Sequence, residues 1–354
     1  CILTAGKGSR MGGPGKYLNK SLLPVGTSAV ISLIIDKFPI GTEFVIGLGY
    51  LANQVRDYLT MAHPKVQFHY VDVDKWEGKG TGPGYSLLQC KDVLQRPFYF
   101  VACDTLWEND SILTHASKDW VGVATMPKHL TSAYCNFKIE NEYVSEIVEK
   151  KEIETEINFK SFVGLCFVQS YAQFWAGLAS ARDIGGEIQI SSGIRAIMEV
   201  SDVQTIDIDW TDLGTEEKYK TFVSTQCEFD FSKTEEAIYF QDNKVIKYFR
   251  DKNVVKNRIA KAKLNATAYP SIEASADNFY CYRFVEGKTM YEDISEEIFS
   301  RFLEWASIYL WYDVDDESEK VAQACKSFYL SKTRKRWQQY KDKYPDYKQE
   351  GVIN

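Results

Sequence analysis

At 354 residues with 45% hydrophobic side chains, the chain is long enough for two domains with buried cores. A formal net charge of -7 and a pI near 5.4 argue against a duplex nucleic acid partner, which would want a basic face, while local lysines and arginines leave a small anionic substrate open. No apolar run approaches the roughly 18 residues of a membrane helix, no signal peptide is visible, and the eight scattered cysteines form no CxxC pair, so a cytoplasmic protein with buried thiols and no membrane partner is expected.

The opening segment, Cys1 to Val25, carries the strongest signal. A short apolar run leads through Gly6-Lys7-Gly8-Ser9-Arg10 and three more glycines to Lys20-Ser21-Leu22-Leu23-Pro24-Val25. Strand, glycine-rich loop and helix, in that order, turn backbone N–H groups into an anion cradle. Glycine lets a phosphate approach closer than a Cβ allows, and Arg10 and Lys20 add positive charge. A tight turn alone explains the glycines; the distal Lys-Ser-Leu-Leu-Pro-Val sets this loop apart. Cys1-Ile2-Leu3 reads as the inside of a strand, so the sequence is expected to be a piece of a longer chain.

Residues 28–38 show helical spacing, 43–47 a short strand, 51–61 a second helix and 66–71 a third strand. This alternation predicts an α/β fold, a Rossmann-like, mostly parallel sheet with helices on both faces and ligands at the carboxyl ends of its strands. Gly80-Thr81-Gly82-Pro83 is either a plain loop and helix start or part of a binding site. Pro97 to Ala102 is an unbroken apolar strand that ends in Asp104. A carboxylate there is costly unless it faces a cation or donor; an N-cap is the alternative. Residues 120–126 form another strand, and 137–139 with 143–150 a hairpin ending in Glu149-Lys150. Ser161 to Val168 is the next strand. Glu187 and Ser191-Ser192 precede a helix over 193–200, as caps or as part of an anion site. The run Val203 to Thr215 carries Asp207, Asp209 and Asp212, the first two solvated or structural. Asp104 and Asp212 at two strand ends, beside a phosphate cradle, suit magnesium, a hard ion that prefers oxygen.

The spacing GxG(S/T)R, the lysine before Leu-x-Pro, and the closing Trp210-Thr211-Asp212-Leu213-Gly214-Thr215 resemble the nucleotidyltransferases that make nucleoside-diphosphate sugars and related activated metabolites. The resemblance spans about Cys1 to Ser224. It implies that Leu3, Ala5, Gly6, Gly8, Ser9, Arg10, Lys20, Gly80 and Thr81 contact the nucleotide, with Arg10 and Lys20 catalytic. It implies Mg2+ on Asp104 and Asp212, and a phosphorylated small-molecule acceptor on Lys150, Gly164, Glu187 and Ser191. A solvated strand end explains Lys150 equally well. Gly12-Gly13 stands where many hexose-1-phosphate members carry a proline, and Pro83 where thymine or uracil readers often carry glutamine. The closest likeness is to bacterial cytidylyltransferases acting on phosphoglutamine or phosphocholine for capsule and surface polymers. The expected reaction therefore joins CMP from CTP to such an acceptor and releases pyrophosphate. A UTP- or dTTP-using sugar-1-phosphate enzyme is the alternative.

From Cys227 the pattern changes, so the predicted division is 1–226 and 227–354. A hairpin over 237–249 turns at Asp242-Asn243, and a basic helix spans 252–266. With Phe284 to Gly287 as hinge and Lys247 as nucleotide lysine, this part resembles the α+β amino-terminal lobe of aminoglycoside- and choline-type kinases. Kinase chemistry needs a His-x-Asp and a downstream Asn. All four histidines (His63, His69, His115, His129) precede this region, so no γ-phosphate transfer is expected, and the first part is expected to work when cut free, provided the shorter piece folds. Two rivals stay open: a kinase whose second lobe lies beyond Asn354, and a non-catalytic nucleotide-binding regulator. Oligomeric state is open too, a homo-oligomer included.

Overall fold

Successive side chains on a strand point to opposite faces, so a sheet whose strands are apolar at every position needs a cover on both sides. The computed structural model describes residues 1–153, 158–226, 235–290, 292–311 and 319–345, and Cys227 lies outside them. Nine strands form the main sheet: β1 (Ile2–Leu3), β2 (Phe44–Leu48), β3 (Phe68–Asp72), β4 (Phe98–Ala102), β5 (Trp120–Ala124), β6 (Cys135–Glu140), β7 (Tyr143–Glu149), β8 (Phe159–Val168) and β9 (Gln204–Asp207). Their order is β3-β2-β1-β4-β8-β5-β9-β7-β6. Phe44, Ile46, Val101 and Leu165 face one side, under helices α1 (Val30–Ile35) and α2 (Ala52–Ala62). Val45, Phe98, Phe100 and Cys166 face the other, under α3 (Pro83–Gln89), α4 (Tyr171–Ala179) and α5 (Ser191–Met198). The apolar runs of the sequence are therefore buried on both faces, as predicted.

The sheet is mixed, where a mostly parallel one was predicted. β1 to β4 are mutually parallel where they pair, but β8 runs antiparallel between β4 and β5. The β6–β7 hairpin is antiparallel because its link, Asn141-Glu142, turns back on two left-handed residues (φ 52° and 70°). The helix predicted over 28–38 is also shorter. Gly26, at φ 58°, turns the chain so that Ser28–Ala29 pairs with Pro24–Val25, and the helix starts only at Val30.

Outside the main sheet, Thr105–Trp107 and Trp210–Asp212 pair as an antiparallel ribbon that sets Asp212 opposite Thr105. After helix α6 (Glu216–Gln226) comes a small antiparallel sheet with order β10-β11-β13-β12. Its strands are β10 (Glu236–Gln241), β11 (Lys244–Phe249), β12 (Ile272–Ser275) and β13 (Phe279–Arg283), with helix α7 (Lys252–Leu264) after β11. Asp242 and Asn243 both adopt left-handed φ (47° and 59°), which suits the tight hairpin predicted there. The chain divides into two compact units, Cys1–Glu286 and Gly287–Asn354. The change of pattern at 227 falls inside the first unit: Tyr239, Ile246, Tyr248 and Phe279 share one core with Leu22, Ile31 and Tyr58. The Tyr58 and Tyr239 rings meet edge-on at 4.9 Å. The described helices of the second unit include Glu296–Tyr309 and Lys332–Lys343.

Candidate active site

The loop after β1 turns on Gly8, which is left-handed at φ 63°, and Met11 N–H donates to the Gly8 carbonyl at 2.8 Å. A Cβ on Gly8 would stand 3.4 Å from the Cβ of Lys20, so loop and lysine are in contact. What fixes Lys20 is its neighbour. Asn19 is fully buried and donates from Nδ2 to Thr4 O (3.0 Å) and Tyr50 O (2.7 Å). Its Oδ1 accepts from Ser21 N (3.0 Å) and Ser21 Oγ (2.8 Å), and its own N–H donates to Gln54 Oε1 (3.1 Å). Sequence reading passed over Asn19; the signal available was an Asn of N-cap type ahead of Lys-Ser. Asn19→Ala would strand several buried groups at about 1–3 kcal/mol each. A fall in unfolding free energy of about 2 kcal/mol or more is expected in urea titration; a loss below about 0.5 kcal/mol, the size of an ordinary surface change, would show that this network holds nothing.

Lys20 Nζ lies 2.9 Å from Asp104 Oδ2 at the end of β4. Burial alone would lower the ammonium and raise the carboxyl, but their mutual attraction prevails, leaving Lys20 above and Asp104 below its ordinary range. The ribbon brings the second carboxylate in: Leu213 N–H donates to Asp104 O at 2.9 Å, and Gly214 N–H to Asp212 Oδ1 at 2.7 Å. A Cβ on Gly214 would stand 2.9 Å from Asp212 Oδ1 and 3.2 Å from Asp104 Oδ2, so both carboxylates converge on the space that glycine leaves. Asp212 Oδ2 accepts from Tyr134 Oη at 2.8 Å and pairs with the Lys218 ammonium. Burial would lower Lys218, but Asp212 and Tyr134 hold it above its usual range. Tyr134 and Lys218 were not singled out in the sequence, because only the ribbon and the start of α6 bring them to Asp212. Among the described residues no third His, Cys, Asp or Glu joins these two carboxylates into a larger cluster. Two oxygen donors fit magnesium, which keeps several waters and takes the rest of its shell from substrate phosphates.

A cleft of about 840 Å³ opens between these elements. Leu3, Ala5, Gly6, Gly8, Ser9, Arg10, Lys20, Thr81 and Asp104 line it, and so do Lys150, Glu187 and Ser191. Gly80, Gly164 and Asp212 do not form its wall. Gly80 N–H donates to Gly186 O (2.8 Å), and Thr81 O accepts from Ile188 N–H (2.7 Å), tying the loop before α3 to the segment around Glu187. Lys150 Nζ pairs with Glu187 Oε2 at 2.7 Å, and Gln189 Nε2 donates to the same oxygen at 2.9 Å. Ser191 Oγ donates to Glu149. Gly164, at φ 82°, is held by packing, since a Cβ there would stand 2.8 Å from that of Ala102. Asp207 pairs with Lys160 at 2.6 Å, away from the cleft lining.

No protein-family model matches the chain. A bifunctional protein GlmU of Methanococcus maripaludis (strain C5) is 20% identical over 219 residues, 60% of this chain and 50% of that protein. The chain therefore spans about half the length of the curated relatives it matches. Among solved structures, a UDP-glucose pyrophosphorylase complexed with UDP-glucose superposes with a TM-score of 0.55 at 18% identity, over 63% of this chain and 96% of that one. A putative glucose-1-phosphate thymidylyltransferase from Bacillus anthracis gives 0.53 at 20% identity, over 66% and 96%. About three-fifths of the chain has the sugar-nucleotidyltransferase fold. The small sheet stands beside it as a separate antiparallel layer. Among the described residues, no helix is long and apolar enough to cross a membrane.

Proposed function

We propose that the chain is a nucleotidyltransferase: a phosphate oxygen of a phosphorylated small metabolite attacks the α-phosphorus of a nucleoside triphosphate. The new O–P bond forms as the bond to the β-phosphate oxygen breaks, and pyrophosphate leaves with that electron pair. The observation that carries this reading is the pairing of Lys20 with Asp104 in the wall of a cleft with a glycine-rich cradle, with Asp212 converging on Asp104 beside Gly214. The nucleophile is already an anion, so the site needs positioning and charge neutralisation more than a general base. Lys20, held charged by Asp104, would neutralise charge on the α-phosphate. Arg10 and the loop N–H groups would hold the outer phosphates. Asp104 and Asp212 would hold magnesium, which neutralises phosphate charge when bound. Lys150, Glu187 and Ser191 would face the acceptor, with Gly164 shaping the strand behind it. Gly80 and Thr81 would set the nucleobase loop.

The base is the finer part of the proposal. The names of the matched structures carry uridine and thymidine nucleotides and glucose 1-phosphate, which supports UTP or dTTP and a sugar phosphate more than CTP. The CTP reading, with a phosphoglutamine- or phosphocholine-like acceptor, rests on the resemblance, in which Pro83 replaces the glutamine of thymine and uracil readers; Pro83 lines the cleft. Both readings take a pyrimidine. Pyrophosphate release is therefore expected with a pyrimidine triphosphate and not with ATP or GTP. A competition at equal concentrations of CTP, UTP and dTTP, over a panel of phosphorylated metabolites, decides between the two. Turnover with a purine triphosphate would overturn both, and no release with any pair would overturn the transfer reading and leave the two rivals, a kinase part or a regulator that binds nucleotide.

A further inference from the structure

The segment that carries Lys20 is held from two sides. On one side is Asn19 with its buried partners. On the other, the carbonyls flanking Lys20 accept hydrogen bonds from tyrosines that lie far later in the chain. Tyr248 Oη donates to Tyr17 O, and Tyr239 Oη to Leu22 O, each at 2.6 Å. Both tyrosines belong to the small sheet, on β11 and β10, and both are buried. Arg250 adds its guanidinium over the Tyr17 ring, 3.3 Å from the centroid. Phe240 N–H reaches Thr27 O at 2.7 Å, extending the seam along the same strip. A phenylalanine would fill either ring position without bringing a polar atom inside, and a hydroxyl buried this deeply is costly unless paired. The hydroxyls therefore serve the two carbonyls they meet, one three residues before Lys20 and one two residues after it.

We infer that Tyr239 and Tyr248 are positioning residues for Lys20, so that the small sheet sets the rate of nucleotidyl transfer in the neighbouring cleft. The inference rests on the transfer reading above. Lys20 has to stand against charge that grows at the α-phosphorus in the transition state, and a displacement on the order of 1 Å costs about a hundredfold in rate. The hydroxyls fix the backbone on both sides of it. The small sheet thus contributes to the chemistry of the main sheet without touching substrate.

Tyr239→Phe and Tyr248→Phe test this. Each Phe variant is expected to lower kcat about tenfold or more, with the KM for the triphosphate within about twofold, because ground-state binding is spared. In a Lys20→Met background the same substitutions should cost nothing further, since the group they position is gone. An equal fall in both backgrounds, or an unchanged kcat, would overturn the inference. A second readout needs no turnover: the rate at which the Lys20 amine is methylated by formaldehyde and borohydride, followed by mass spectrometry. Lys20 should be modified faster in the Phe variants, with exposed lysines unchanged, as its contact with Asp104 loosens; unaltered Lys20 labelling would overturn the inference. If wild-type protein releases no pyrophosphate with any triphosphate, the transfer reading fails, and the labelling still decides whether the small sheet holds Lys20.

Discussion

Asp104→Asn and Asp212→Asn are each expected to lower the rate of pyrophosphate release by roughly a hundredfold or more. The amide keeps the shape of the side chain and removes its charge. The two carboxylates reach the space beside Gly214 from different strands, so neither can replace the other. Each also has a lysine partner, Lys20 for Asp104 and Lys218 for Asp212. Loss of the carboxylate leaves that ammonium unpaired, which costs stability as well as rate, more so at the less exposed Lys20. The measurement is therefore threefold: thermal unfolding to show that the fold survives, Mn2+ binding to show that the metal site is lost, and turnover. Near-wild-type turnover in either variant would sink the assignment of these carboxylates. Retained metal binding with lost turnover would move their role from holding metal to holding Lys20.

The parts of this site that could be read from sequence are those in which chemistry and chain order coincide. Gly6, Gly8, Ser9, Arg10 and Lys20 lie within one loop, and the apolar run 97–102 announces the strand that presents Asp104. Local backbone geometry imposes those patterns, so they show without a fold. Asn19 shows only its N-cap pattern in the sequence, because the rest of its value lies in Thr4, Tyr50 and Gln54, which are distant along the chain. Tyr134 and Lys218 likewise acquire meaning only when the Trp210–Asp212 ribbon delivers Asp212 to them. The mixed sheet escaped the reading because the last four residues of β8, 165–168, are apolar and buried on both faces like a parallel central strand, which hides the alternation that its first half keeps. Tyr239 and Tyr248 sit in an ordinary hairpin pattern, and nothing in that pattern says that their hydroxyls point back to a loop more than two hundred positions earlier.

That docking alters what truncation should do. The change of composition at residue 227 invites a cut there, with the first part expected to work alone. A chain ending at Gln226 would instead lose Tyr239, Ile246, Tyr248 and Phe279 from a core they share with Leu22, Ile31 and Tyr58. Fully burying a large apolar side chain is worth about 1.5–3 kcal/mol, and a whole domain is stable by only about 5–15 kcal/mol. Exposing the facing surface of α1, α2 and the Lys20 segment therefore removes a share comparable with the total. It also strips Tyr17 O and Leu22 O of their tyrosine partners. The chain ending at Gln226 is expected to show a strongly reduced or absent cooperative urea transition, to bind a dye for exposed apolar surface, and to release no pyrophosphate. A chain ending at Glu286 keeps the first compact unit whole. It is expected to unfold cooperatively and to retain turnover within a few-fold of the longer chain. Equal urea midpoints and equal turnover for the two truncated chains would show that the small sheet is a passenger, and would return the boundary of the working unit to residue 226.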